Sequence, residues 1–189
     1  MTDPMAQPDL ADGFRAMMRG FPTGVAVVTA TDADGRPWGM TCSSLCAVTL
    51  DPPMLLVCLR AASPTLAAVL RHGAFAVNLL DDGAGPVAEL FASAAPDRFD
   101  RVSWRRDRGA AGPHLHHDTH AVADCRTTAT VPAGGHVVVL GEVTRITRAD
   151  RTPLVYADRG YRRWPVPLPA PSVTSAAGGW SGSRPDAAR

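Results

Sequence analysis

Apolar positions along the chain recur at two spacings, one helical and one extended. From Leu10 to Arg19, the residues Leu10, Phe14, Met17 and Met18 fall three or four apart and predict a short amphipathic helix. Gly20 ends it and Pro22 keeps it from resuming. Val25 to Thr31 is β-branched and reads as a strand. Asp34-Gly35 marks a tight hairpin, with a return strand from Pro37 to Met40 and a further strand from Leu45 to Leu50. Pro52-Pro53 interrupts the ladder, because proline has no N–H to donate. Met54 to Leu59 is a near-continuous apolar run, the pattern of a strand buried on both faces or closing a barrel.

Ser63-Pro64-Thr65 is a helix start with a mechanism: Ser63 caps and Pro64 suits the first helical position. That helix runs through Leu66, Val69 and Leu70 and stops near Gly73. Ala74 to Leu80 reads as a strand, and Pro86 to Ala94 as a helix through Val87, Leu90 and Phe91. Pro96 to Gly112 is charged and irregular, and Ala121 to Val131 alternates weakly as a strand. Gly135 to Arg148 is the strongest downstream strand, interrupted at Gly141, where a bulge or a close approach is expected. Pro153 to Ala157 is a last short strand. Many short strands with a few short helices predict a mainly β, antiparallel protein. A closed barrel is its natural architecture, since closure removes exposed edges.

Length and composition fit one such domain. The chain has 189 residues, 46% hydrophobic and 20% charged, the values of an ordinary globular protein. Residues 1–9 read as a flexible start, 10–164 as the folded domain, and 165–189 as a Pro-, Gly- and Ser-rich disordered tail in which Trp180 is the one candidate for docking. A net charge of +1 gives no steering field for nucleic acid. No apolar stretch nears the length of a membrane span, and the start lacks a secretory signal, so a cytoplasmic protein is expected. The four cysteines, Cys42, Cys46, Cys58 and Cys125, form no CxxC pair and read as small buried thiols. All 19 basic residues are Arg, which removes Lys-dependent Schiff-base and P-loop chemistry. No GxGxxG motif follows a strand.

Three segments are candidates for chemistry. The loop Thr41-Cys42-Ser43-Ser44 offers hydroxyls and successive N–H groups to a phosphate or to the polar edge of a ring, though the same string suits a plain polar turn. Ser63-Pro64-Thr65 places hydroxyls at a helix N-terminus, with Arg60 just before it; this suits an anion, or simple capping. His136 opens a strand after Ala133-Gly134-Gly135, where it can meet a ligand or serve as a loop residue without a role. His114, His116, His117 and His120 invite a metal with Asp118, but no second cluster has zinc-like spacing, so no metal is expected and a solvated loop is. Arg101, Arg105, Arg106 and Arg108, interleaved with Asp97, Asp100 and Asp107, read as a solvated face rather than a nucleic-acid patch.

Taken in order, Phe21 to Val25, Trp38 to Ser44, Thr49 to Pro53, Ser63 to Thr65, Phe75 to Leu80, Asp97 to Phe99, Gly135-His136 with Gly141 to Val143, and Pro153 to Tyr156 resemble the flavin reductase family. That family supplies reduced flavin to two-component monooxygenases, and the likeness spans about residues 10–164. The resemblance implies an antiparallel FMN-binding split barrel, a homodimer, and reduction of FAD or FMN by NADH or NADPH. By position, Met40 and the Thr41 to Ser44 loop would contact the flavin ring and chain, and Ser63 and Thr65, with Arg60, would take its phosphate. Asn78 would lie near the pocket, His136 would stand beside the nicotinamide, and Tyr156 is a further candidate. The same barrel also serves pyridoxamine phosphate oxidases, which use FMN, and non-catalytic flavin or haem carriers. Cys42 departs from the small non-thiol residue expected in the loop, and the tail has no counterpart.

Overall fold

The computed structural model describes residues 7–164. The proposed tail with Trp180 and the first six residues lie outside them. Ten strands and three helices follow in order: α1 (Gln7–Arg19), β1 (Thr23–Gly24), β2 (Ala26–Thr31), β3 (Pro37–Cys42), β4 (Leu45–Leu50), β5 (Pro53–Arg60), α2 (Pro64–His72), β6 (Ala74–Leu80), α3 (Gly85–Ala92), β7 (Thr119–Ala133), β8 (His136–Arg148), β9 (Leu154–Ala157) and β10 (Gly160–Arg163). The first helix begins three residues before the predicted Leu10, and the hairpin strand β10 was not foreseen.

Seven strands pair antiparallel in the order β3-β2-β6-β7-β8-β5-β4, and β1, β9 and β10 form a small second sheet. The two end strands of the large sheet, β3 and β4, are joined by only Ser43-Ser44. Three chain steps from Cys42 to Leu45 span at most about 11 Å, so the sheet must curl until its ends meet. They meet without pairing to each other, so the barrel is split rather than closed. Across the seam the Cys42 thiol donates to Cys58 O at 3.7 Å, while the Cys58 N–H donates to Ser44 O at 3.1 Å and carries the β4–β5 ladder into the connection.

Side-chain alternation in β2 divides the interior in two. Ala26, Val28 and Ala30 enter a barrel core with Val57, Leu59, Leu66, Val69, Phe75, Val77 and Val139. Val25 and Val27, on the other side, join Leu80, Ala88, Phe91, Leu115 and Leu154 beneath α3 and β9. Every residue of β2 is therefore buried, and each large aliphatic side chain so placed contributes roughly 1.5–3 kcal/mol. β5, read as buried on both faces or closing a barrel, lies between β8 and β4 and is buried only in part: Val57 and Leu59 are enclosed while its other residues keep some exposure. Pro53 is the first residue of β5, opposite Leu50, a position where a missing N–H is tolerated. Gly141 is a close approach: a Cβ there would lie 2.6 Å from the Phe75 ring. A register shift also falls beside it, at its β7 partner Thr127 (Thr127/Ala129), and a second at Asp124/Cys125.

The histidine-rich loop is not solvated throughout. Residues 110–115 are buried, and His114 Nε2 donates to Asp124 Oδ1 at 2.9 Å. Asp124 also accepts from the Ala111 N–H and from Arg145. Burial raises its pKa, but these donors outweigh burial and hold the carboxyl below the usual carboxylate range. Among the described residues no cluster of metal-ligating side chains forms. All four cysteines are free; Cys42 and Cys125 are buried as expected, Cys58 is half-buried and Cys46 is exposed. No helix among the described residues is long and apolar enough to cross a membrane.

Candidate functional site

The site forms where the seam meets the start of α2. β3 supplies Met40 and Thr41, the two-residue connection supplies Ser43 and Ser44, and the end of β5 supplies Arg60. Arg60 pairs with His136 across the β5–β8 ladder, so two residues far apart in sequence project from one face. The Ala61 N–H donates to Gly135 O at 2.9 Å and fixes that corner. These residues, with Cys42, Cys58, Phe91 and Ala92, line a cavity of about 260 Å³.

A second cavity, of about 370 Å³, adjoins the first and shares Met40 and Arg60 with it. It is lined on the α2 side by Ser63, Pro64 and Thr65, and also by Arg36, Trp38, Arg98 and Phe99. Ser63 has extended backbone, and its Oγ accepts from the Leu66 N–H at 3.1 Å, the capping geometry the sequence predicts. A hydroxyl that accepts from a cap N–H still has its own proton to donate outward. The helix terminus adds a dipole that favours an anion and the Thr65 N–H, since Pro64 has none and those of Leu66 and Ala67 bond Ser63.

Neither cavity is lined by an Asp or Glu. Arg36, Arg60 and Arg98 enter no ion pair among the described residues. Arg98 is held by its own loop: Nε donates to Ala95 O at 2.8 Å and one terminal nitrogen to Gly39 O at 2.9 Å. Burial, and then repulsion from Arg60, lower its pKa. An unpaired, partly desolvated cationic wall of this kind is stabilised by an anionic ligand. Gly39 permits the arrangement, since a Cβ there would lie 2.9 Å from Phe91 and 3.1 Å from Phe99.

Met40, Thr41, Cys42, Ser43, Ser44, Arg60, Ser63, Thr65 and His136 are thus brought together. Within this set, Thr41 and Cys42 belong to strand β3 and not to the loop. The Thr41 hydroxyl donates to Ala88 O at 2.6 Å and ties α3 to the cleft. The Cys42 side chain turns into the barrel core, where burial pushes its thiol pKa up. It behaves as a small apolar residue there.

Two candidates lie elsewhere. Asn78 is fully buried: its amide donates to Val27 O, Thr29 Oγ1 and Pro113 O, and its carbonyl accepts from the Leu115 N–H at 2.8 Å. It clamps the 113–115 segment to β2 and has no donor left for a ligand. Tyr156 packs against Tyr161 with ring centroids 5.3 Å apart and lines neither cavity. Sequence reasoning gave no role to Arg98, Arg36 or Trp38. Arg98 had a signal, standing in the Asp97-Arg98-Phe99 motif. Trp38 likewise opened the Trp38 to Ser44 motif, and Arg36 had no signal beyond following a hairpin turn.

A long cleft with hydroxyls and a histidine at one end and cations with a helix terminus at the other suits a planar, hydrogen-bonding ring attached to a phosphate. A family model described as "Flavin reductase like domain" matches residues 18–165. "Flavin reductase (NADPH)" of Lentzea aerocolonigenes is 49% identical over 150 residues, 79% of this chain and 88% of that protein. The solved structure of "NADH:FAD oxidoreductase SgcE6" from Streptomyces globisporus C-1027, in complex with NAD and FAD fragments, superposes with a TM-score of 0.77 at 29% identity, over 91% of this chain and 100% of that one. The styrene monooxygenase flavin reductase of Pseudomonas putida S12 superposes with a TM-score of 0.74 at 27% identity, over 82% of this chain and 99% of that one.

Proposed function

The chain belongs to the flavin reductase like family, and from that premise we propose that its cleft is where free flavin meets a reduced nicotinamide. The enzyme is an NAD(P)H:flavin oxidoreductase that reduces FAD or FMN and releases the product to a separate flavin-dependent monooxygenase. The observation that carries this reading is the acid-free cleft running from Ser43-Ser44 and His136 to Ser63, Thr65 and Arg60.

Hydride transfer is supplied by the two small molecules; the protein binds, orients and excludes competing reactions. Backbone and hydroxyls of Thr41 to Ser44 take the polar edge of the ring. Ser63, Thr65 and Arg60 hold the phosphate, which fixes how far the ring reaches into the cleft. His136 is exposed at the cavity mouth beside Arg60 and orients the nicotinamide over the ring. No side chain needs to act as an obligatory acid or nucleophile.

The enzyme works as a homodimer. In α1, Leu10 is 66%, Phe14 59% and Met17 62% exposed, and Leu50 on the edge strand β4 is 89% exposed. Apolar surface of this extent on one helix and one sheet edge calls for a second copy to cover it. The four free thiols and the need for NAD(P)H fit the cytoplasm. The test is His136→Ala in steady-state kinetics. The substitution is expected to raise the NAD(P)H KM or lower kcat while the flavin KM changes little. Unchanged constants remove His136 from the site.

A further inference from the structure

The larger cavity is lined by more cationic and aromatic groups than a single phosphate would use. Ser63 and Thr65 stand on one wall with the helix terminus, and Arg60 completes that anchor. Arg36, Trp38 and Arg98 also line this cavity but not the smaller one, which holds the ring end. If the flavin ended at one phosphate, an unpaired guanidinium and an aromatic platform would be left facing an empty half of the cleft.

That platform is built in advance. The Arg36 guanidinium lies over the Trp38 indole, 4.5 Å from its centroid. The indole N–H donates to Asp32 Oδ2 at 2.9 Å, and Asp32 Oδ1 accepts from the Asp34 and Arg36 N–H groups at 3.0 and 2.9 Å. Asp32 is thereby occupied as an acceptor, and it forms no ion pair with Arg36 among the described residues. A guanidinium seated over an indole on one side leaves its other side for a second ring. Nucleobases stack on guanidinium faces as they do on aromatic rings. Arg98, fixed to Gly39 O and Ala95 O, holds a second positive charge in the same cavity.

We propose that the preferred flavin is the dinucleotide FAD rather than FMN, with the adenine stacked on the Arg36–Trp38 pair and the second phosphate against Arg98. This rests on the flavin reductase reading of the same cleft and narrows it to one flavin. Arg36 is then a specificity-determining residue, reading the half of FAD that FMN lacks.

The test is a calorimetric titration of the full-length protein with FAD and with FMN, for wild type, Arg36→Ala and Arg36→Lys. A stacked base is worth about tenfold or more in affinity, so wild type is expected to bind FAD at least about tenfold more tightly than FMN. Both substitutions are expected to collapse that ratio toward one, the lysine because it keeps the charge and loses the plane. Arg36 is exposed, and thermal melts confirm that the variants fold. Equal wild-type affinities, or an unchanged ratio in both variants, overturn the proposal while leaving flavin reduction standing. So does an Arg36→Ala change that raises the NADPH KM and spares FAD, since the platform would then serve the nicotinamide nucleotide. Failure of both flavins to bind overturns the functional reading and this proposal together.

Discussion

Removing the Ser63 hydroxyl separates two jobs that one atom performs. Its Oγ accepts from the Leu66 N–H at 3.1 Å and caps α2. Its proton faces the cleft, where a phosphate oxygen would accept it. Ser63→Ala removes the cap, at a typical cost of about 1 kcal/mol, which lowers Tm by roughly 2–4 °C in a domain of this size. It also removes one hydrogen bond to a charged group, worth about 1.5–3 kcal/mol, or roughly 10- to 100-fold in affinity. The second effect should appear only with flavins that carry a phosphate. The assay is a fluorescence titration with FMN and with riboflavin, which has the same ring and no phosphate, alongside thermal melts without ligand. The expected result is a large loss for FMN, little change for riboflavin and a modest fall in Tm. Ser63→Thr, which keeps the hydroxyl, should restore most of both. Equal losses for FMN and riboflavin would refute a phosphate contact, and so would no loss for either despite the lower Tm.

Three further outcomes follow from the packing. Gly141→Ala sets a methyl 2.6 Å from the fully buried Phe75 ring; overpacking of this kind costs about 1–3 kcal/mol, measurable by urea unfolding. Asn78→Leu strands the Leu115 N–H, while Pro113 O still accepts from the Thr29 hydroxyl, so stability should fall by about 1–3 kcal/mol for the group left unsatisfied. The flavin KM of the protein that remains folded should stay near wild type. Asp124 has a lowered folded pKa, so its stabilisation is fully present above the unfolded value of about 3.9 and is lost as pH falls through the lower folded value. Unfolding midpoints taken over roughly pH 2–6 should fall more steeply at the acid end for wild type than for Asp124→Asn.

Local order was readable where a single residue type enforces it. The Ser63 cap, the Pro64 start, the stop at Gly73 and the strand Ala74–Leu80 stand where the sequence places them. The split in the barrel was not readable from periodicity. It follows from strand order, which depends on pairings between residues far apart in sequence, such as Arg60 with His136. Nor does an isolated asparagine announce whether its amide faces a ligand or a buried backbone. Asn78 is decided by Pro113 and Leu115, from a loop that reads as charged and irregular. Arg98 was hidden for a related reason. Its neighbours Arg101, Arg105, Arg106 and Arg108 are exposed as expected, and only the fold turns Arg98 inward over Gly39.

The most direct test of flavin chemistry in this cleft is oxidation of NADH and NADPH by the purified protein, followed with and without added FAD or FMN. Flavin-dependent oxidation is expected, and an Arg60→Ala/Ser63→Ala double substitution should weaken it mainly by raising the flavin KM. Oxidation that is independent of added flavin, or absent with both flavins and both nicotinamides, would contradict it.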